Sequence, residues 1–559
     1  MQAPTLRLVV LTATIAALSA CNEPHSETAT VVPAETRSPD AHDNSTLTQS
    51  VPMPASAVAE KNVVMTTGSR IATRVGTVAF DGTPPALLNR ENYADTRDNG
   101  IQLTRTSPVS TFSIDVDTGS YSNVRRLLRT GNLPPKDAVR TEELLNYFAY
   151  DIPSSPQEGP FQINTEVAPS PWNAGRHLLR VDVRAVDVTA EKRPASNLVF
   201  LVDVSGSMQD VNKLELLKKS LKLMTQQTRP EDSIAIVAYA NGTEVILEPT
   251  KGDATHVIGA ALDRLHASGG TNGGAGIELA YSLARQHFIE GGINRVLIAT
   301  DGDFNVGITD FEDLLELIKA QRKTGIGLTT LGFGAGNYND HLMEQLADAG
   351  NGNHAYIDTL SEARKVLVDQ LTSTLHTVAS DVKIQIEFNA SVVSEYRLVG
   401  YENRMLAQED FNNDKVDAGD IGAGHSVTAL YELALVGGPH SVEPLRYGTT
   451  AAPTPSDLSA ELAFLKLRYK APGSASSTAI EHAIERSTMH SSLDAASENL
   501  RFSAAVAGFG QVLRGNETLG DFDFNDVLSL ASAAKGNDPY GYRGEFIDLV
   551  RTAQALAQL

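Results

Sequence analysis

The sequence predicts a doubly wound, mainly parallel α/β sheet inserted in a β-sandwich-like domain, with a helical C-terminal region. Three observations carry this expectation. Between residues 195 and 376 short apolar runs alternate with amphipathic helical stretches; segments of period-two hydrophobicity flank that stretch on both sides; and helical spacing dominates beyond about residue 456. At 559 residues the chain is too long for one hydrophobic core, so three or four folding units are expected. Hydrophobic residues at 42% and charged residues at 20% exclude disorder of the whole chain. The formal net charge of −22 repels a phosphate backbone and no dense Lys/Arg block offsets it, so nucleic acid is excluded as a partner.

Residues 1–20 carry one positive charge, Arg7, then an apolar run from Leu8 to Leu18 and small residues, the layout of a secretory signal peptide. The run is too short to span a bilayer. The stretch Leu18-Ser19-Ala20-Cys21 resembles the lipobox of bacterial lipoproteins, which implies lipidation of Cys21 and cleavage just before it. Cys21 is the single cysteine, which excludes an intrachain disulfide, a CxxC redox pair and a cysteine-based zinc site. Several acyl chains anchor stably where one binds only marginally, so the membrane is an expected partner through an N-terminal lipid anchor. Asn22 after the cysteine resembles the outer-membrane sorting pattern, and the expected location is the bacterial cell envelope. Residues 21–88, rich in Ser, Thr, Ala, Pro and Glu, read as a disordered tether.

Residues 89–160 read as an N-terminal α/β segment: a strand near Ser110–Ile114, a helix from about Ser120 to Arg129 ended by Leu133-Pro134-Pro135, and a second helix from Arg140 to Phe148. Asp117-Thr118-Gly119-Ser120 imitates an aspartic-protease loop and Asp115-Val116-Asp117-Thr118 a phosphatase-type nucleophile motif. Neither has the second carboxylate loop, or the downstream lysine and carboxylate, that such chemistry needs. The expected role of Asp117 and Ser120 is therefore helix capping. Residues 161–194, with Val181 to Val186 in alternation, read as strands that join a later β-rich domain at 377–455, whose strands are Val382–Phe388, Val392–Gly400 and Ser426–Leu433. The two sets make one β-sandwich built from both sides of an inserted domain. Residues 456–559 read as a helical domain with helices at Ala460–Tyr469, Ala479–Glu485, Asn499–Leu513 and Phe546–Leu556.

The inserted stretch carries the functional pattern. Leu198 to Val202 is a continuous apolar strand, as expected for a parallel strand covered on both faces, and it ends in Asp203-Val204-Ser205-Gly206-Ser207. Thr271 lies in the glycine-rich loop Gly269 to Gly274, and Asp301 follows the apolar strand Val296 to Thr300. Ligands of open α/β sheets bind outside the carboxyl ends of the strands, so three loops aim oxygen side chains at one edge. Asp303 reads as a loop contact on the rim.

This pattern resembles the metal-ion-dependent adhesion site of von Willebrand factor A domains, a Rossmann-like fold, over residues 195–376. The flanks Ser110–Tyr121, Leu133–Arg140 and Gly400–Arg404 are similar to the bacterial lipoprotein subfamily. The resemblance implies that Ser205, Ser207 and Thr271 contact a divalent metal, with Asp203 and Asp301 acting directly or through waters. The cofactor so implied is Mg2+, with Mn2+ or Ca2+ as substitutes. The partner implied is a protein presenting Asp or Glu to the metal, and the function a metal-dependent binding (adhesion or scaffold) lipoprotein that is not an enzyme. The competing expectations are a metal-dependent envelope hydrolase, which lacks a visible base or nucleophile, and a metal-independent scaffold. The acidic stretch Asp410 to Asp420 imitates a calcium loop, but Lys415 and Ile421 occupy its glycine and glutamate positions, so it reads as a turn. The histidines lack zinc-site spacing.

Overall fold

The computed structural model describes residues 91–150, 152, 157–302, 311–442 and 460–559. The signal peptide, the whole tether and Cys21 lie outside them, as does Asp303. In the N-terminal segment Gln102–Leu103 (β1), Val109–Ser113 (β2), Gly119–Arg129 (α1) and Thr141–Asn146 (α2) are followed by Gln157–Glu158 (β3), Phe161–Pro169 (β4) and Arg176–Ala185 (β5). The inserted stretch runs through Ser196–Asp203 (β6), Leu214–Met224 (α3), Ser233–Tyr239 (β7), Thr243–Lys251 (β8), Thr255–Asp263 (α4), Gly273–Gln286 (α5), Ile293–Thr300 (β9), Phe311–Arg322 (α6), Ile326–Phe333 (β10), Asp340–Ala349 (α7), His354–Ile357 (β11), Leu360–Arg364 (α8) and Leu371–Leu375 (α9). Beyond it come Thr377–Phe388 (β12), Val393–Val399 (β13), Gly419–Gly422 (β14), Ser426–Leu435 (β15), Glu461–Lys470 (β16), Ser477–Glu485 (β17), Glu498–Arg514 (α10), Phe524–Ala533 (α11) and Tyr542–Ala557 (α12).

The inserted domain has the expected doubly wound sheet, in the order β11-β10-β9-β6-β7-β8. All pairings are parallel except the antiparallel edge strand β8. The central strand β6 is buried along its whole length. Its side chains alternate between two cores. Leu198, Phe200 and Val202 pack with Leu217 and Leu221 of α3, while Val199 and Leu201 pack with Ile277 and Tyr281 of α5 and Ile318 of α6. Burial on both faces is why the run is apolar throughout rather than alternating.

The flanking strands form the expected sandwich. One sheet has the order β1-β13-β15-β5-β4-β3, with β5 from before the insertion paired antiparallel to β15 from after it. The other joins β14, β12, β16 and β17, with β2 on β12. Phe161, Val181 and Leu433 of the first sheet meet Phe112, Ile384 and Leu465 of the second in one core.

Three expectations need correction. Residues 461–485 are a strand hairpin, not two helices. In β16 Leu462, Leu465 and Tyr469 fall at spacings of three and four and mimic a helical stripe, yet Leu465, Leu467 and Tyr469 point into the sandwich while Lys466, Arg468 and Lys470 lie between them. Pairing with β12 overrides the local pattern. The apolar spacing of Ser361–Leu375 predicts one continuous helix, but a π-helical turn at Lys365–Asp369 breaks it. The N-terminal segment is no separate layer: β1 and β2 join the sandwich, and Tyr121, Leu144 and Phe148 of its helical part pack with Phe502 and Phe546 of the C-terminal helices and with Leu178 and Leu430 of the sheet. The described residues accordingly belong to one compact unit.

Arg125 of α1, 2% exposed, ties this body together. It donates from Nε to Asp358 at 2.8 Å, from Nη2 to Glu362 at 2.8 Å, and from Nη1 to the Tyr147 hydroxyl and to Glu545, each at 2.9 Å. Removing one partner of a buried ion pair leaves the other charge uncompensated. Arg125→Met is therefore expected to lower unfolding stability by about 3 to 5 kcal/mol, read from the urea midpoint. A loss below about 1 kcal/mol, the range of exposed pairs, would contradict the assignment.

Candidate functional site

Asp203 ends β6 with its carboxylate fully buried. Its Oδ1 accepts from the Ser205 backbone N–H at 2.8 Å, which turns the chain sharply after the strand. Its Oδ2 accepts from Thr300 Oγ1 at 2.7 Å and from the Tyr239 hydroxyl at 3.2 Å. Those donors sit at the ends of β9 and β7, the two parallel neighbours of β6. Burial pushes the Asp203 carboxyl up to about 6 against the pull of these hydrogen bonds, and the charge of Asp301 adds to the rise.

The turn places Ser205 Oγ 2.9 Å from Ser207 Oγ, the first buried and the second half-buried. Backbone bonds clamp the Thr271 loop beside it: Gly206 N–H donates to Gly269 O at 2.9 Å and Ser268 N–H to Val204 O at 2.7 Å. Gly269 needs to be glycine, because its φ is +80° and a Cβ there would lie 2.7 Å from Asn241 Nδ2. Asn241 in turn accepts from Gly270 N–H at 2.7 Å, and Asn272 N–H donates to Ala240 O at 2.7 Å. Thr271, half-buried, is thus held between the ends of β6 and β7.

Asp301, fully buried, follows β9. Its Oδ2 accepts from Lys213 Nζ at 2.9 Å and from Asn337 Nδ2 at 3.2 Å. The five residues singled out from sequence therefore share one edge of the sheet, in three adjoining loops. Sequence reasoning missed Tyr239, Thr300, Lys213 and Asn337. Thr300 and Lys213 carried a signal, since one directly precedes Asp301 and the other is a cation at the entry of the helix after the serine loop. A cavity of about 390 Å³ elsewhere in the unit, bordered by Asn146, His354, Gln370 and His425, is lined by none of the five.

A second acidic group lies apart from this edge. Asp115, Glu143 and Glu344, all buried, each present an oxygen within 4.8 Å of the others. Two guanidinium groups already engage them. Arg404 reaches Asp115 at 3.2 Å, Glu344 at 3.0 Å and Asp348 at 2.7 Å, and Arg140 pairs with Glu143 and, at 2.6 Å, with Asp340. Asp117 Oδ1 accepts from the His354 backbone N–H at 2.8 Å, which ties the N-terminal segment to the edge strand β11. The expected capping role of Asp117 is corrected here, since Thr118 precedes α1 without a side-chain cap. Ser120 likewise donates to Ala138 O rather than capping. The Asp410–Asp420 stretch is an ion-paired turn, with Asp414 on Arg468 and Asp417 on Arg322.

Beside this group burial, with Glu402 and Asp115 nearby, pushes the Glu142 carboxyl up to about 8 from an ordinary 4.5. A folded-state value above the unfolded one means the fold favours the protonated acid. The associated stability is complete below about pH 4.5 and is lost as the pH rises through about 8. Glu142→Gln is expected to leave stability near pH 4.5 little changed and to raise it at pH 9, compared by denaturant midpoints. A variant less stable than the parent at pH 9 would contradict this.

Residues 197–371 match the family model of the von Willebrand factor type A domain, residues 87–180 a model described as von Willebrand factor, and residues 373–556 one described as the C-terminal part of uncharacterized protein YfbK. The chain is 49% identical over 475 residues to the uncharacterized protein YfbK of Escherichia coli (strain K12), a match covering 84% of this chain and 82% of that protein. It is 24% identical over 269 residues to human inter-alpha-trypsin inhibitor heavy chain H3, covering 42% of this chain and 28% of that one. Among solved structures, a von Willebrand factor type A protein from Catenulispora acidiphila aligns at 15% identity and a TM-score of 0.37, over 67% of this chain and 86% of that one.

Proposed function

Because this chain belongs to the family of Escherichia coli YfbK and carries a von Willebrand factor type A domain, we propose that it is a divalent-metal-dependent protein-binding lipoprotein of the bacterial cell envelope and not an enzyme. The observation that carries the reading is the gathering of Asp203, Ser205, Ser207 and Asp301 at one strand-end rim with the Thr271 loop bonded to it. The donor set fits a hard cation: two carboxylates and three hydroxyls, all oxygen, with two of the hydroxyls already 2.9 Å apart. When bound there, Mg2+, or Mn2+ or Ca2+ in its place, supplies a Lewis-acidic centre for the carboxylate of a partner's Asp or Glu.

The chain's own residues prepare that contact. Thr300 and Tyr239 hold one Asp203 oxygen toward the strand ends, and Ser205 N–H holds the other. Three neutral hydroxyls beside two carboxylates leave little excess negative charge to repel an acidic partner. A hydrolase would need a nucleophile or base free to act. The engagement of Asp115 and Asp117 by Arg404 and by the His354 backbone supports the binding reading instead. Lipidation of Cys21, outside the described residues, and the tether to residue 88 would hold the folded body at the membrane, in the outer membrane by the Asn22 pattern. Among the described residues no helix is long and apolar enough to cross a membrane.

The test is affinity capture from solubilised envelopes with the full chain. Partners are expected to be retained in millimolar Mg2+, released by EDTA, and not retained by Asp203→Ala. Retention that persists in EDTA would favour a metal-independent scaffold. A phosphatase or peptidase activity abolished by Asp117→Asn would favour a hydrolase.

A further inference from the structure

Lys213 is a buried cation built into the rim of the candidate metal site. It stands just before α3 and is 4% exposed. Its aliphatic stem lies against Gly334, where a Cβ would fall 2.4 Å from Lys213 Cε and 2.5 Å from Cγ. Only a residue without a side chain leaves room for the stem there, and the φ of +84° suits glycine as well. The ammonium group is fixed by two oxygens, Asp301 Oδ2 and Asn337 Oδ1, each at 2.9 Å. Asn337 Nδ2 donates to the same Asp301 oxygen at 3.2 Å, so the amide braces both members of the pair. Asp203, by contrast, is met by the neutral donors Ser205 N–H, Thr300 and Tyr239.

The charges then add simply. Asp203 and Asp301 supply two negative charges, Lys213 one positive, and Ser205, Ser207 and Thr271 none. A divalent ion added to this set leaves one net positive charge, where the same set without the lysine would be neutral. Like charges near one buried site repel strongly because little water screens them.

We propose that Lys213 is a positioning residue that sets the charge of the metal site: its ammonium, held on Asp301, weakens the affinity for the divalent ion and leaves the loaded site electropositive toward an acidic partner. The proposal rests on the metal-dependent reading above and deepens it.

The test is titration of the full chain with Mn2+ alone, following the electron paramagnetic resonance signal of free Mn2+, with loss of binding in Ser207→Ala assigning the site. Lys213→Met, and Lys213→Gln as a second neutral variant, are expected to bind Mn2+ at least tenfold more tightly than the parent. Lys213→Arg, which keeps the charge, is expected to stay within about threefold. Unchanged or weaker binding in a folded neutral variant overturns the proposal, as does an arginine variant that tightens like the neutral ones. Loss of the fold in both neutral variants overturns it too, by making the lysine a scaffold element. A parent chain that binds no Mn2+ at this site defeats the metal-dependent reading itself, so the two failures are distinguishable.

Discussion

The burial of the Asp203 carboxylate at the end of the central strand is the constraint on which the rest of the strand-end architecture depends. A carboxylate without water is costly unless donors surround it. Here one donor comes from its own turn, one from the strand on each side, and all three reach oxygens that the strand direction has already fixed. Satisfying this one group therefore sets the path of the serine loop and the register of β6 against β7 and β9 at their carboxyl ends. The Thr271 loop is then clamped to the same turn through backbone hydrogen bonds.

Around this edge the molecule is fastened by buried arginines more than by a continuous apolar interface. Arg125, Arg140 and Arg404 each bridge the N-terminal segment or the sandwich to the α/β domain, and Arg397 links Glu432 of the sheet to Gln511 of α10. Such pairs add little net stability, since both charges must be desolvated, but they are intolerant of a missing partner and so fix how the layers meet. Two hydrogen bonds of the N-terminal segment reach close to the site. Glu91 accepts from Gly336 N–H at 2.8 Å and Asn92 N–H donates to Tyr338 O at 3.0 Å, on either side of Asn337, the amide that braces Lys213 and Asp301. The first described residues of the chain thus hold the loop that borders the candidate metal site.

How much of this was legible depended on the range of the determining interactions. Apolar runs ending in Asp203 or leading to Asp301 are local signals, because a strand buried on both faces must be apolar throughout and its end must be polar. The sandwich was legible on both sides of the insertion because Val181–Val186 and Val382–Phe388 alternate. β16 and β17 were misread because their apolar residues fit both periods, and only pairing across the sheet decides between them. Asp117 was misread for a related reason: an Asp before a helix is usually its cap, but here its partner is His354 N–H, 237 residues away. The contact between Lys213 and Asn337 could not be read from sequence, since 124 residues separate the two.

The central claim, that the three loops jointly hold one divalent ion, is tested most directly by anomalous diffraction from crystals of the protein grown with Mn2+. The account predicts a single strong peak within coordinating distance of the Ser205, Ser207 and Thr271 hydroxyls. A peak among Asp115, Glu143 and Glu344 with none at the strand ends, or no peak at either place at saturating Mn2+, would contradict it.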